Sequence, residues 1–216
     1  EYVAEWYSEK CLKHNLDPFG NESTIAIGQL SQLVWKAMDE CLDRPNAVMK
    51  WLQDVARILG HEGKEVRWTS PLGFKIKQRY ADAKSMRIRT LLGEKISFVK
   101  WREPLSDIDK IRQANGISPN FVHSLDASVA QSTTNYAKEQ GINSLAMVHD
   151  SFATHCNKCD ALGGIIRRSA AEIFTTDLLA GFRDEIKQQT QKELPDLPPY
   201  GSLDPHEVLG SDYFFA

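Results

Sequence analysis

Residues 145–155, LAMVHDSFATH, set a His-Asp-Ser triplet inside an otherwise apolar run. The flanks read as two short strands, so the triplet falls at a hairpin turn. Three roles compete for it: a tight turn without chemistry, one ligand of a catalytic metal, or a hydrolase triad. The triad fails on geometry. Consecutive strand side chains point to opposite faces, whereas the base must lie between nucleophile and orienter. A zinc site built from His149, His155, Cys156 and Cys159 has Cys-x-x-Cys spacing but no second pair nearby, because Cys11 and Cys41 lie far upstream. Asp150 at a hairpin tip would suit a hard cation such as Mg2+, which takes few carboxylates plus substrate phosphates. Two-metal phosphoryl transfer needs a second carboxylate on a neighbouring strand. The nearest in sequence, Asp126, falls within an expected helix. The residues alone therefore yield half of a catalytic pair.

The surrounding chain has 216 residues, 42% hydrophobic and 25% charged, an ordinary globular composition. No apolar run approaches the ~20 residues of a membrane span, so no membrane partner is expected. EYVAEWYSEK at the start is neither a signal nor a transit peptide and lacks an initiator Met, which fits a fragment or processed product. Four scattered cysteines suit a reducing compartment. Charge is uneven. Eleven Lys or Arg face three acids between Lys64 and Arg102, so a chain of net charge −3 carries a local +8 on a body of −11. A basic module on an acidic body is the pattern of a steered polyanion site.

Helical spacing predicts helices over residues 2–14 and 24–42, the second with Ile27, Leu30, Val34, Met38 and Cys41 as core. DRPN then interrupts, and a third helix carries Val48, Trp51, Leu52, Val55 and Leu59 on one face up to Gly60 and Gly63. The period changes in the basic module. EVRWTSPLGFKIKQRY reads as one hairpin and KSMRIRTLLGEKISFVKW as another. In the second, Arg87 and Arg89 share a face, as do Lys95 and Ser97 on the return strand. A ribbon with basic side chains on one face can enter a DNA major groove, and a slip of one residue would exchange the faces. REPLSDIDKIRQANGISP reads as a linker, followed by a helix from Pro119 and Asn120 to Gly141 bearing His123, Ser124, Asp126 and Ser128. A single long helix is expected over 160–187, then a Pro-rich tail whose aromatic end must dock to avoid exposing Tyr213, Phe214 and Phe215. The fold class is α+β, mainly helical.

VHDSF resembles the third palm motif of the single-subunit, bacteriophage and mitochondrial type RNA polymerases. SPNFVHSLDAS, the basic hairpin before it and the SDYFFA terminus extend the resemblance in order from about residue 25 to 216. It implies the C-terminal part of a right-hand polymerase fold with a protruding β-hairpin and a palm β-hairpin. The implied parts are a helical fingers segment (1–63), a basic hairpin region with the promoter specificity loop (64–104), the palm end (105–190) and a C-terminal foot (191–216). By the resemblance, Asp150 is a catalytic Mg2+ ligand flanked by His149 and Ser151, and His123 approaches the minor-groove side of the new base pair. Arg87, Arg89, Lys95 and Ser97 become promoter readers, and Phe215 and Ala216 belong to the foot near the active site. Val129 departs from a histidine common in phage relatives, and Ala153 from the usual glycine.

The implied activity is DNA-dependent RNA synthesis on promoter DNA through an RNA–DNA hybrid, using ribonucleoside triphosphates. The family's other catalytic aspartate and fingers helix are missing, so the implied partner is the N-terminal portion of the same polymerase, without which the chain is expected to be inactive. The terminal FFA and the motif spacing point to a virus and the cytoplasm of an infected bacterium rather than a mitochondrion. Two rivals remain. A family A DNA polymerase usually carries glutamate where Ser151 stands, and a non-catalytic DNA-binding module would use the hairpin alone.

Overall fold

A computed structural model describes residues 2–93 and 95–214. The described residues form an α+β, mainly helical structure in which every sheet is a two-stranded antiparallel hairpin. The chain divides into two compact units, 1–48 and 49–216.

The first unit contains α1 (Tyr2–His14), a 3-10 turn (Gly20–Glu22) and α2 (Ser23–Cys41). Asp17 organises the connection. It accepts hydrogen bonds from Tyr7 Oη at 2.5 Å and from the N–H groups of Phe19 and Gly20, while Tyr7 stacks on Phe19. The apolar spacing over residues 24–42 does build a helix, but it does not build a core. No described residue of α2 is buried, and Val34 and Met38 are each 40% exposed. The DRPN stretch also differs from expectation. Instead of separating helices it opens α3 (Asp43–His61), with Pro45 in the first turn, where a missing N–H leaves no helical bond unmade.

In the second unit, α3 buries Trp51, Leu52, Val55 and Leu59 as its spacing predicts. The hairpin of β1 (Val66–Thr69) and β2 (Lys75–Gln78) turns Val66 and Trp68 inward. Phe182 meets the rings of Trp51, Trp68 and Phe121 edge-on at centroid distances of 6.0, 6.0 and 5.1 Å. Such contacts add about 0.5–1.5 kcal/mol each beyond burial. The outer edge of β1 is closed by side chains four residues apart: Gln189 exchanges both hydrogen bonds with the Arg67 backbone, and Glu185 accepts from the Thr69 N–H. Glu185 and the turn residue Gln189 thus cover an edge that would otherwise invite pairing.

The expected linker does not exist. The ribbon of β3 (Ala81–Leu92) and β4 (Lys95–Ile108) is longer than the hairpin read at residues 84–101, and it absorbs residues 102–108. Asp109 then accepts from the N–H groups of Ile111 and Arg112 and caps α4 (Lys110–Glu139). This helix runs straight through Pro119, where a start was expected. Proline inside a helix costs about 3 kcal/mol, and the burial of Gln113, Ile117, Phe121, Ser124 and Ser128 along one face offsets it. The buried amides of Gln78 and Gln113 donate to each other's backbone carbonyls at 2.8 and 2.9 Å. Gln113 Oε1 also accepts from the Tyr80 N–H. Tyr80 lies so close to Gly116 that a Cβ there would meet the ring at 2.6 Å.

The single helix expected over 160–187 is two: α5 (Cys159–Phe174) and α6 (Leu178–Lys187). The hydroxyls of Thr175 and Thr176 donate to the carbonyls of Ala171 and Ile173, and Asp177 caps α6 through the Ala180 N–H. Short polar side chains that bond to nearby backbone compete with helix continuation. The tail docks in part, and Tyr213 departs from the expectation. Trp51 Nε1 donates to the Pro195 carbonyl, Arg167 to the Ser211 carbonyl, and Tyr200 to Asp177. Phe214 packs beside Val129, Ala170 and Ile173, whereas Tyr213 stays 92% exposed. Phe215 and Ala216 lie outside the described residues.

Gln113→Ala leaves the Tyr80 N–H and the Gln78 carbonyl without the hydrogen bonds that Gln113 makes to them. We expect a loss of roughly 2–4 kcal/mol in urea unfolding. The Tyr200–Asp177 contact gives a pH signature. Burial and the hydrogen bond to Asp177 push the Tyr200 phenol up to about 12, and the bond from Tyr200, followed by that from the Ala180 N–H, lowers Asp177. The tyrosine contribution is complete below its unfolded value of about 10 and is lost as pH rises through about 12. The aspartate contribution is present above its unfolded value of about 3.9 and lost as pH falls through the lower folded value. Melting curves of Tyr200→Phe against pH are expected to show a smaller loss at both ends.

Candidate functional site

The triplet sits where its sequence suggests. β5 (Ala146–Val148) and β6 (Ser151–Ala153) pair antiparallel with Val148 opposite Ser151, leaving His149 and Asp150 as a two-residue turn. His149 has φ +55°, and Asp150 has no positive φ. A positive φ at the first turn residue alone is the pattern of a type II′ turn, a place normally taken by glycine. A histidine there stores about 1–3 kcal/mol of backbone strain.

One face of the hairpin is anchored. Phe152 and Leu145 pack on a buried cluster of Ala137, Ile142, Leu162, Ile165 and Ile166. Met147, paired with Phe152, receives a hydrogen bond from Thr134 at its sulfur. Tyr136, on the same cluster, donates to Glu172 at 2.6 Å, and the Arg168 guanidinium lies 4.4 Å from its ring centroid. The bond from Tyr136 and then that from Arg168 hold the Glu172 carboxyl below its ordinary value, and Glu172 raises the Tyr136 phenol in return.

The other face is open to solvent despite the apolar run in the sequence. Ala146, Val148, Ser151 and Ala153 are all exposed, Val148 to 71%.

The Asp150 carboxylate is exposed and makes no hydrogen bond or ion pair among the described residues. No group of three or more His, Cys, Asp or Glu is placed to hold a metal ion among them either. The chain therefore offers one hard oxygen donor at this turn, which fits a metal as part of a shared set and not as a complete one. His123 is exposed on α4. It lines a cleft of about 360 Å³ together with Trp68, Phe74, Ile76, Asn120 and Gln131.

The ribbon's register separates the four expected readers. Arg87 lies opposite Lys100, Arg89 opposite Phe98, Ser85 opposite Arg102, Thr90 opposite Ser97 and Leu92 opposite Lys95. Directly opposed residues share a face and neighbours alternate. Arg87 and Arg89 therefore share one face with Lys100, Arg102 and Phe98, while Ser97 belongs to the other. Lys95 is also in the register position of that second face, so the four do not form one surface. Met86, Ile88, Val99 and Trp101 complete the second face, which is largely apolar and exposed. Lys100 and Arg102 join Arg87 and Arg89 on one face through the pairing that closes across Gly93. The Arg87 guanidinium lies 5.7 Å from the centroid of Phe98 on the cationic face.

A family model described as DNA-dependent RNA polymerase matches residues 8–195. A mitochondrial DNA-directed RNA polymerase 1 of Nicotiana sylvestris is 33% identical over 196 residues, covering 90% of this chain and 19% of the relative. A chloroplastic/mitochondrial DNA-directed RNA polymerase 2 of Arabidopsis thaliana is 32% identical over 207 residues, covering 94% and 20%. T7 RNA polymerase of Escherichia phage T7 is 31% identical over 211 residues, covering 88% and 24%. The chain thus spans about a fifth to a quarter of the length of these relatives.

The strained turn makes its own test. His149→Gly is expected to leave stability unchanged or slightly higher, and His149→Val, β-branched at a positive φ, to lower it by about 1–2 kcal/mol in urea unfolding.

Proposed function

Because the chain belongs to the DNA-dependent RNA polymerase family, we propose that it supplies one carboxylate of a two-metal nucleotidyl-transfer centre and a promoter-reading ribbon. The observation that carries this reading is Asp150, an exposed carboxylate on a strained two-residue turn inside the VHDSF motif. A family A DNA polymerase is not favoured, since the matched model and the relatives above are RNA polymerases. The division into fingers segment (1–63), hairpin region (64–104), palm end (105–190) and foot (191–216) belongs to the same proposal. So does the expected partner, a polypeptide carrying the rest of the polymerase. The relatives come from both phage and plant organelles, and the setting in an infected bacterium rests on the phage-like terminus and spacing.

In this role Asp150 would hold Mg2+ through its carboxylate, together with a second carboxylate from the N-terminal portion of the polymerase. Bound Mg2+ supplies charge stabilisation and activation of the RNA 3′-hydroxyl for attack on the α-phosphate of a ribonucleoside triphosphate. His149 fixes the turn that aims the carboxylate, and Phe152 anchors the hairpin on its cluster. Ser151 places a hydroxyl on the exposed face, and His123 presents its ring to the nucleic acid from the α4 cleft. Catalysis by such a site is positioning plus electrostatics.

On the ribbon, Arg87, Arg89, Lys100 and Arg102 form the surface for promoter DNA. Lys95 and Ser97 stand on the opposite side in this register, so their part in reading is the smaller one.

The chain alone is expected to synthesise no RNA and to regain synthesis with the partner polypeptide and Mg2+. Asp150→Asn should abolish the reconstituted activity while promoter binding persists, and a loss smaller than about tenfold would count against its role as metal ligand. Retained binding with lost synthesis also separates an enzyme from a mere binding module. Arg89→Ala or Lys100→Ala should weaken promoter binding by about 1–3 kcal/mol where a base contact is lost, or reduce the salt slope by about 1 where a phosphate contact is lost. Ser97→Ala serves as the comparison and is expected to change binding less.

A further inference from the structure

Cys156 and Cys159 take no part in the proposed chemistry. Both are free and exposed, Cys156 in the segment that joins β6 to α5 and Cys159 as the first residue of α5. Residues Cys156–Lys158 form a single 3-10 turn, and the Cys159 N–H donates to the Cys156 carbonyl. In that geometry residues three apart lie one above the other, separated by about 6 Å along the axis. This falls inside the roughly 4.4–6.8 Å between Cα atoms that a disulfide bridges. Cys159 Sγ makes only a long contact of 3.6 Å to the His155 carbonyl, so forming a new bond displaces little. Among the described residues no third His, Cys, Asp or Glu joins the pair as a metal set.

We propose that Cys156 and Cys159 are a dithiol–disulfide redox site whose oxidant is a low-molecular-weight disulfide of the glutathione type. One cysteine thiolate attacks a sulfur of glutathione disulfide, breaking its S–S bond and releasing one glutathione thiolate. The other cysteine thiolate attacks the protein-bound sulfur of this mixed disulfide, forming the Cys156–Cys159 bond and releasing the second glutathione. Two electrons pass from the protein to the glutathione pair, and the two thiol protons end on glutathione or in solvent. The product locks the turn between β6, which leads from Asp150, and α5, whose Leu162, Ile165 and Ile166 support Phe152. The site stands on this turn alone and does not depend on the polymerase reading.

The sequence provides a convenient assay. Trypsin cuts after Lys158, between the two cysteines, releasing residues 139–158 and 159–167 as separate peptides. After incubating the folded chain with glutathione disulfide and blocking free thiols, these two peptides are expected to stay joined, two hydrogens lighter than their sum, and to separate on reduction. Cys11 and Cys41 are expected to remain unlinked. Cys159→Ser should instead retain glutathione on Cys156, because no second thiol resolves the mixed disulfide. The proposal is overturned if the wild-type peptides appear separately with each cysteine alkylated or glutathionylated. It is equally overturned if a non-reducing gel shows the pair consumed in disulfide-linked dimers.

Discussion

The second compact unit is held in register by two glutamines that exchange hydrogen bonds. Gln78 closes the short β1–β2 hairpin, Gln113 sits in the first turn of α4, and each is almost wholly buried. Each side chain donates to the other's backbone carbonyl, and their carbonyl oxygens accept from the Tyr80 N–H and from Asn120. A buried polar network stabilises only when every member finds a partner, and this one does. The chain at 78–80 is thereby fixed against 113–120, with Tyr80 pressed on Gly116 and the Asp109 N–H donating to the Tyr80 carbonyl. Everything between those points, the whole ribbon, springs from this clamp. The helical run before Pro119 is held by it too.

That dependence explains where the sequence was legible and where it was not. The inner face of α3, the β1–β2 hairpin and the turn at His149 and Asp150 were readable because apolar period and turn signals agree locally. The start of α4 was not, since a proline and a buried glutamine look like a loop unless the partner of Gln113 is known. The break between α5 and α6 did have a signal in Thr175, Thr176 and Asp177, masked by the apolar spacing on either side. α2 obeys its period yet has no core in its own unit, because periodicity reports which face is apolar and not what covers it. In the candidate site, the position of Asp150 at a hairpin turn was legible from the apolar runs on either side. The positive φ of His149 and the separation of Arg87 and Arg89 from Ser97 were not, because both are properties of backbone pairing.

The exposed face of β5–β6 and the solitary Asp150 carboxylate describe the same condition from two sides. Strand residues such as Val148 lie open to solvent next to a carboxylate that lacks a second acid among the described residues. The strain at His149 persists because Phe152 and the cluster beneath it hold the hairpin from the opposite face. Support for the turn therefore comes from the hydrophobic cluster beneath Phe152.

The ribbon also has a mechanical side. A strand of 12 residues, at about 3.4 Å per residue, reaches roughly 40 Å. It behaves as a cantilever whose fixed end is the glutamine clamp. A tilt of about 5° at such a root moves the tip by roughly 3.5 Å over that length, between a quarter and a third of the ~12 Å width of a DNA major groove. Stiffness at Gln78 and Gln113 therefore governs positional accuracy at Arg87 and Arg89, far from either glutamine. Loosening the hinge would displace the cationic face without altering a single side chain on it.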